Sequence, residues 1–155
     1  MFNTPSENAH YLSRLDASEL LGTVSNHPIQ LEDLVWPTVE HYVQAMQFDD
    51  DGKREKIRMA STADQARKLG KTGWFKRPRA NWENLRSVYM TRALYTKCRA
   101  HPEVARALLA TGDEHLVEND QYDYYWGCGR DRRGDNTFGK VLMQVRDKLN
   151  EEQAG

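Results

Sequence analysis

Phe138-Gly139-Lys140-Val141-Leu142-Met143-Gln144-Val145-Arg146-Asp147-Lys148-Leu149 is the stretch that decides the fold. Phe138, Val141, Leu142, Val145 and Leu149 recur at i, i+3, i+4, i+7 and i+11, which is one apolar stripe of an amphipathic helix. Working back from it, residues 113–136 read as a long polar loop, and Pro102 suits the first turn of a helix that Gly112 closes. Asn81 stands where it can cap the longest helix, about 82–100, behind a basic loop over 71–80. Thr62-Ala63-Asp64-Gln65 has the form of a capping box, with Gly70 ending its helix. A short helix over about 53–59 follows the acidic break at Asp49-Asp50-Asp51-Gly52. Trp36-Pro37-Thr38 opens a helix near 38–48. Before that, Ile29-Gln30-Leu31 and Leu34-Val35-Trp36, separated by Glu32-Asp33, read as a small hairpin. A weak helical pattern over 10–22 places Tyr11, Leu15, Leu20 and Leu21 inward. The expectation is a mainly α single domain of five or six helices with at most a short β-hairpin near its N-terminus, frayed at 1–8 and 151–155.

Composition narrows the function. A chain of 155 residues fits one domain, and at that size roughly 68–70% of the unfolded surface can be buried without staples. Lys and Arg number 22 against 23 Asp and Glu, a formal net charge of −1. That leaves no global field to hold DNA or an acidic membrane, although a local basic pocket is compatible with it. Cys98 and Cys128 form no CxxC pair and have no histidines at zinc spacing. No apolar run in residues 1–20 has the form of a secretory signal, and no window reaches the ~20 apolar residues of a membrane span. The expected compartment is the cytosol.

Three groups of polar residues stand out. Glu40 lies in the first turn of its helix and shares a polar stripe with Gln44 and Gln47, apart from Val39, Tyr42, Val43 and Met46. On pattern alone it reads equally as a helix-start charge favoured by the dipole or as an acid–base group on a rigid element. His41 points to another side, so the two are no ready dyad. Asp123-Tyr124-Tyr125-Trp126-Gly127-Cys128-Gly129 combines aromatics that can stack on a flat heterocycle with glycines that admit close approach. The same aromatics would also serve to pin a loop to the core. Arginines at 77, 79, 86, 130, 132 and 133 have the bidentate geometry that suits phosphate, and also the look of solvated surface. P-loop, dinucleotide-binding, zinc-protease and nucleophile-elbow signatures are absent from the sequence.

Read together, these segments resemble the YbiA-like, or NADAR, family of N-glycosidases. The matching pieces stand in family order over about residues 22–149. They are Ser25-Asn26, Trp36 to Tyr42 with Gln44-Ala45 and Phe48, Ala66-Arg67 with Gly70, Arg79 with Asn81-Trp82, Arg86, Met90, Ala93-Leu94 and Lys97. Thr111-Gly112, Leu116-Val117-Glu118, Asp123 with Tyr125-Trp126-Gly127, Gly129, Asn136, Gly139-Lys140, Leu142-Met143 and Arg146 complete the set. Three features depart from the family pattern: Gln47 stands where lysine is common, Cys128 where a polar or acidic residue is, and the segment after Ser25-Asn26 is shorter and lacks the usual aromatic.

The resemblance implies a mainly helical orthogonal bundle with little sheet, and hydrolysis of a ribose–nitrogen bond without metal or cofactor. The implied substrate is a small phosphorylated ribosylamino-pyrimidine of early riboflavin synthesis. The alternatives are ADP-ribose on guanine in nucleic acid, and a non-catalytic sensor of NAD or ADP-ribose. Catalysis would fall to Glu40 and Asp123. Trp126 and Trp82 would stack on the base, Asn26 and Asn136 would hydrogen-bond, Gly127 would admit the ligand, and Arg79, Arg86 and Lys97 would meet phosphate. For Glu40 and Asp123 to cooperate, the first turn of the Glu40 helix must face the tryptophan loop across a shared hollow.

Overall fold

Threonine and aspartate hydroxyl and carboxylate oxygens fix where three of the helices begin. In a computed structural model describing residues 8–155, Thr38 Oγ1 accepts the His41 N–H at 3.2 Å. Asp50 Oδ1 accepts that of Lys53 at 2.9 Å, and Thr62 Oγ1 that of Gln65 at 3.0 Å. Each satisfies one of the orphan donors of a helix start. They open α1 (Val39–Met46), α2 (Asp51–Arg58) and α3 (Ala63–Leu69). The long helix α4 (Trp82–Ala100) starts differently: Asn81 is left-handed at φ 63° and makes no side-chain cap. Its carbonyl instead accepts the N–H groups of Asn84 and Leu85. Pro102 opens α5 (Pro102–Leu109), and α6 (Thr137–Ala154) carries the periodic stripe. Helix α6 continues through residues 151–154, which the sequence had suggested were frayed. Of the N-terminal segment expected to fray, residues 1–7 lie outside the described residues.

The hairpin forms as read. Strands β2 (Ile29–Leu31) and β3 (Leu34–Trp36) pair antiparallel. Glu32 and Asp33 both take positive φ, 55° and 59°, the handedness a two-residue hairpin turn requires. For residues other than glycine this conformation costs about 1 kcal/mol or more. Glu32 is anchored in return, because Tyr42 Oη and Arg92 Nη1 both donate to its carboxylate, at 3.0 and 2.9 Å.

Two expectations about the chain fail together. The segment 10–22 is not helical: β1 (Ala9–Leu12) is followed by turns, with Tyr11 38% exposed. The loop 113–136 contains β4 (His115–Glu118), which pairs parallel with β1 from Ala9↔His115 to Leu12↔Glu118. A second two-stranded sheet therefore joins the hairpin, and the described residues form six helices and two small sheets. Neither four-residue strand carries enough local pattern to reveal a partner so remote in sequence.

Helix α4 packs against α1 on one side and α6 on the other, and β4 packs on α6. Tyr42, Met90, Ala93, Leu94, Leu116, Phe138, Val141 and Leu142 are almost wholly buried there. Each large apolar side chain contributes about 1.5–3 kcal/mol. No helix among the described residues is long and apolar enough to cross a membrane.

Candidate functional site

Glu40 sits in the first turn of α1 and is only 5% exposed. Its Oε1 accepts the Thr23 hydroxyl at 2.7 Å, and its Oε2 accepts the Gln44 amide at 2.8 Å. The Glu40 N–H also donates to the Thr23 carbonyl at 2.9 Å. Both side-chain partners are neutral, and no ion pair among the described residues includes Glu40. The helix N-terminus supplies part of the compensation for burying this charge. A carboxylate has about four acceptor positions, so these two bonds leave room for a water or a cationic centre. His41 faces elsewhere: its ring nitrogens meet Thr38 Oγ1 at 2.8 Å and the Ala60 carbonyl at 3.0 Å. Burial holds it below the usual histidine range.

The stripe continues along α1. Gln47 donates to Gln44 Oε1 at 2.9 Å and to the Gly70 carbonyl at 2.6 Å. A Cβ on Gly70 would collide with both glutamine amides, so glycine is what lets the end of α3 close on α1. A cavity of about 490 Å³ opens beside this contact, lined by Gln44, Gln47, Arg67, Lys68, Lys71 and Thr72 among others.

On its other side Glu40 connects to a residue the sequence reading missed. The Thr23 N–H donates to the Arg14 carbonyl at 2.8 Å, and Arg14 is 7% exposed. Its guanidinium reaches Asp120 at 3.3 Å and Asp123 at 3.2 Å, while its backbone N–H donates to Glu118 Oε2 at 2.7 Å. Glu118 is 1% exposed. Burial, with the charge of Asp120 added, pushes its carboxyl up to about 7 against the pull of Arg14. One signal for Glu118 was present in the sequence. In an alternating strand it shares a face with Leu116, and a carboxylate in phase with a buried leucine is itself buried.

Asp123 organises the aromatic loop. Its Oδ1 accepts the N–H groups of Tyr125 and Trp126 at 2.9 and 2.7 Å, and its Oδ2 takes Arg14. Gly127 is explained by packing rather than by ligand approach, since a Cβ there would lie 2.6 Å from the Asp120 carbonyl. The rings of Tyr125 and Trp126 meet edge to face at 4.6 Å. The Arg86 guanidinium lies over Tyr125, 3.2 Å from its centroid, and 5.7 Å from that of Trp126. One Arg86 nitrogen pairs with Glu83 at 3.1 Å. Its Nε is buried without a hydrogen-bond partner among the described residues, and such a donor costs free energy until an acceptor arrives.

The remaining candidates divide. Arg79 pairs with Asp49 at 3.2 Å and donates to Tyr89 Oη at 3.1 Å, and Trp82 stacks on the same tyrosine. The Arg79 N–H donates to the Gln47 carbonyl, which places this pair at the far end of the α1 stripe. Asn26 is exposed. Asn136 is structural: Oδ1 accepts the Glu118 N–H and Nδ2 donates to the Leu116 carbonyl, tying β4 to α6. Lys97 is turned into the interior. It is 1% exposed, and its ammonium donates to the Leu20 carbonyl, the Gly22 carbonyl and Ser25 Oγ at 2.7, 2.8 and 2.7 Å. All three protons are used, and burial lowers its pKa to about 8. Its work is to hold the 20–25 segment from which Thr23 reaches Glu40.

Glu40 and Asp123 thus stand at two ends of one polar path, through Thr23 and Arg14. The cavity beside Gln44 is lined by α3 and the loop after it, not by Trp126.

Comparison with known proteins places this geometry in context. The sequence model of the NADAR domain matches residues 1–150. The chain is similar to the N-glycosidase YbiA of Escherichia coli strain K12, 40% identical over 122 residues, 79% of this chain and 76% of that protein. An N-glycosidase of Nostoc punctiforme is 38% identical over 128 residues, covering 81% of each. A riboflavin biosynthesis protein of Vibrio vulnificus is 35% identical over 150 residues, 97% of this chain but 38% of that longer protein. The NMR structure of Escherichia coli YbiA superposes with a TM-score of 0.84 at 33% identity, covering 97% of this chain and 90% of that one.

Proposed function

The chain belongs to the NADAR domain family and is a hydrolase of N-glycosyl bonds; on that premise we propose that its substrate is a phosphorylated ribosylamino-pyrimidine of the cytosol. The observation that carries the mechanism is Glu40: a buried carboxylate on a rigid helix, held by two neutral donors and left without a counter-cation among the described residues. Breaking the bond between ribose C1 and the amino nitrogen builds positive charge at C1. A preorganised anion beside C1 stabilises that charge without reorganising, an effect worth several kcal/mol in a water-poor site. Glu40 also serves as general base. It takes a proton from the attacking water, whose oxygen bonds to C1, and passes that proton to the departing amine. The products are the free ribose phosphate and the free aminopyrimidine.

The aromatic loop supports this reading. Trp126 and Tyr125 offer flat faces for the pyrimidine, and Arg86 Nε offers a donor still lacking an acceptor. Asp123 acts through the loop it holds and through Arg14, because both its oxygens are already engaged. The name of the Vibrio vulnificus relative agrees with a substrate from riboflavin synthesis. The test is a product assay across a panel of ribosylamino-pyrimidine phosphates and an oligonucleotide bearing ADP-ribosyl-guanine, with the released base or ADP-ribose measured by mass. Release of aminopyrimidine at the higher kcat/KM is the expected result. Preferential release of ADP-ribose would move the substrate to nucleic acid. No product from either class, with ADP-ribose still bound, would make the protein a sensor.

A further inference from the structure

Of the cations expected to meet phosphate, only Arg86 keeps a donor, its buried Nε, without an acceptor among the described residues. Lys97 has no proton to spare, Arg79 is paired with Asp49 and Tyr89, and Arg86 lies on Tyr125 with one nitrogen on Glu83. A basic hollow lies elsewhere. It is the cavity of about 490 Å³ between the C-terminal half of α1 and the end of α3. Of the cations that line it, Lys68 is matched by Asp64 at 3.0 Å. Arg67 and Lys71 enter no ion pair among the described residues. Two uncompensated positive charges on one cavity wall favour a dianion. The guanidinium fork matches two phosphate oxygens, and the ammonium adds a point charge.

The same hollow is linked to Glu40 through one side chain. Gln44 lines it and donates to Glu40 Oε2. Gln47 also lines it and fixes Gln44 by donating to its carbonyl oxygen. An anion held by Arg67 and Lys71 is therefore about one side chain away from the carboxylate. In a ribose 5-phosphate the sugar ring sets a similar spacing between the phosphate and C1. We infer that Arg67 and Lys71 form the subsite for the 5′-phosphate of the substrate, which sets C1 beside Glu40. This rests on the N-glycosidase reading for its catalytic meaning, while the binding itself does not require turnover.

The test separates the two. Calorimetry with ribose 5-phosphate and with unphosphorylated ribose is run on the wild-type protein and on Arg67→Ala, Lys71→Ala, the double variant, Lys148→Ala and Arg86→Ala. The wild type is expected to prefer the phosphorylated sugar. The double variant is expected to lose about 10-fold or more of the affinity for it, while Lys148→Ala, at an exposed lysine of α6 outside the hollow, stays within about 2-fold. Arg67 and Lys71 are exposed, so unchanged thermal melts are expected for these variants. Equal affinity of wild type and double variant, loss confined to Arg86→Ala, or no wild-type preference for the phosphorylated sugar would each overturn the subsite. A protein that binds ribose 5-phosphate through these residues yet cleaves no ribosylamine would keep the subsite and refute the reaction.

Discussion

Replacing Glu40 by glutamine removes a charge while keeping the shape. The Thr23 hydroxyl can still donate to the amide oxygen, and Gln44 then faces either that oxygen or an N–H. The structural loss is about one hydrogen bond made weaker, near 1 kcal/mol, plus about 0.3–1 kcal/mol of helix-dipole interaction. Relief from burying a charge offsets part of it. The net change is at most about 2 kcal/mol, which for a domain of this length lowers Tm by roughly 4–8 °C. Catalysis should fall far more. Loss of acid–base assistance costs about 10²–10⁴-fold, or about 3–5 kcal/mol of barrier. The assay is steady-state release of free aminopyrimidine, followed by mass, beside a thermal melt on the same preparation. The expected pattern is a folded variant with kcat down 100-fold or more and KM nearly unchanged, since the charge acts on the transition state. A folded Glu40→Gln turning over within a few-fold of wild type would refute the reasoning.

Three further outcomes are expected. Glu118 has a folded pKa near 7, raised from 4.5 by burial, so the unfolded chain releases this proton first as pH rises. Its contribution to stability is complete below about pH 4.5 and is lost as pH climbs through 7. Urea unfolding at pH 5 and pH 8 should therefore show wild type losing up to about 3 kcal/mol relative to Glu118→Gln, and a gap independent of pH would sink the assignment. Lys97→Met strands the Leu20 and Gly22 carbonyls and leaves Ser25 Oγ with His27 Nδ1 alone. Orphaned acceptors cost about 1–3 kcal/mol each, less the relief of a buried charge, so chemical denaturation should show a loss of about 2–4 kcal/mol, whereas a neutral result would mean that the 20–25 segment holds itself. Gly70→Ala places a methyl against the Gln44 and Gln47 amides, although the backbone at φ −80° accepts alanine; overpacking of about 1–3 kcal/mol should lower both Tm and turnover, and unchanged turnover would disconnect this contact from Glu40.

By itself the sequence determined the hairpin and the six helices that follow it, though not the 10–22 segment. Thr38 and Thr62 cap helices because a hydroxyl needs to reach an N–H only three residues on. The stripe from Phe138 to Leu149 repeats with the helical turn, and Glu32-Asp33 is bounded by two short strand-like triplets. All of these depend on neighbours within about four residues, where sequence spacing is spatial spacing. Family-ordered motifs added Glu40 and the tryptophan loop. Tertiary structure alone decided what the buried charges do. Arg14 meets Asp123 across 109 residues, and Lys97 meets Ser25, Gly22 and Leu20 across 72 to 77. The β1–β4 pairing joins Leu12 to Glu118, so the same closure that makes the second sheet also buries Glu118. Local pattern carries no record of which remote carbonyl or carboxylate will satisfy a buried cation, because that partner is chosen only when the core closes and an unpaired charge becomes costly.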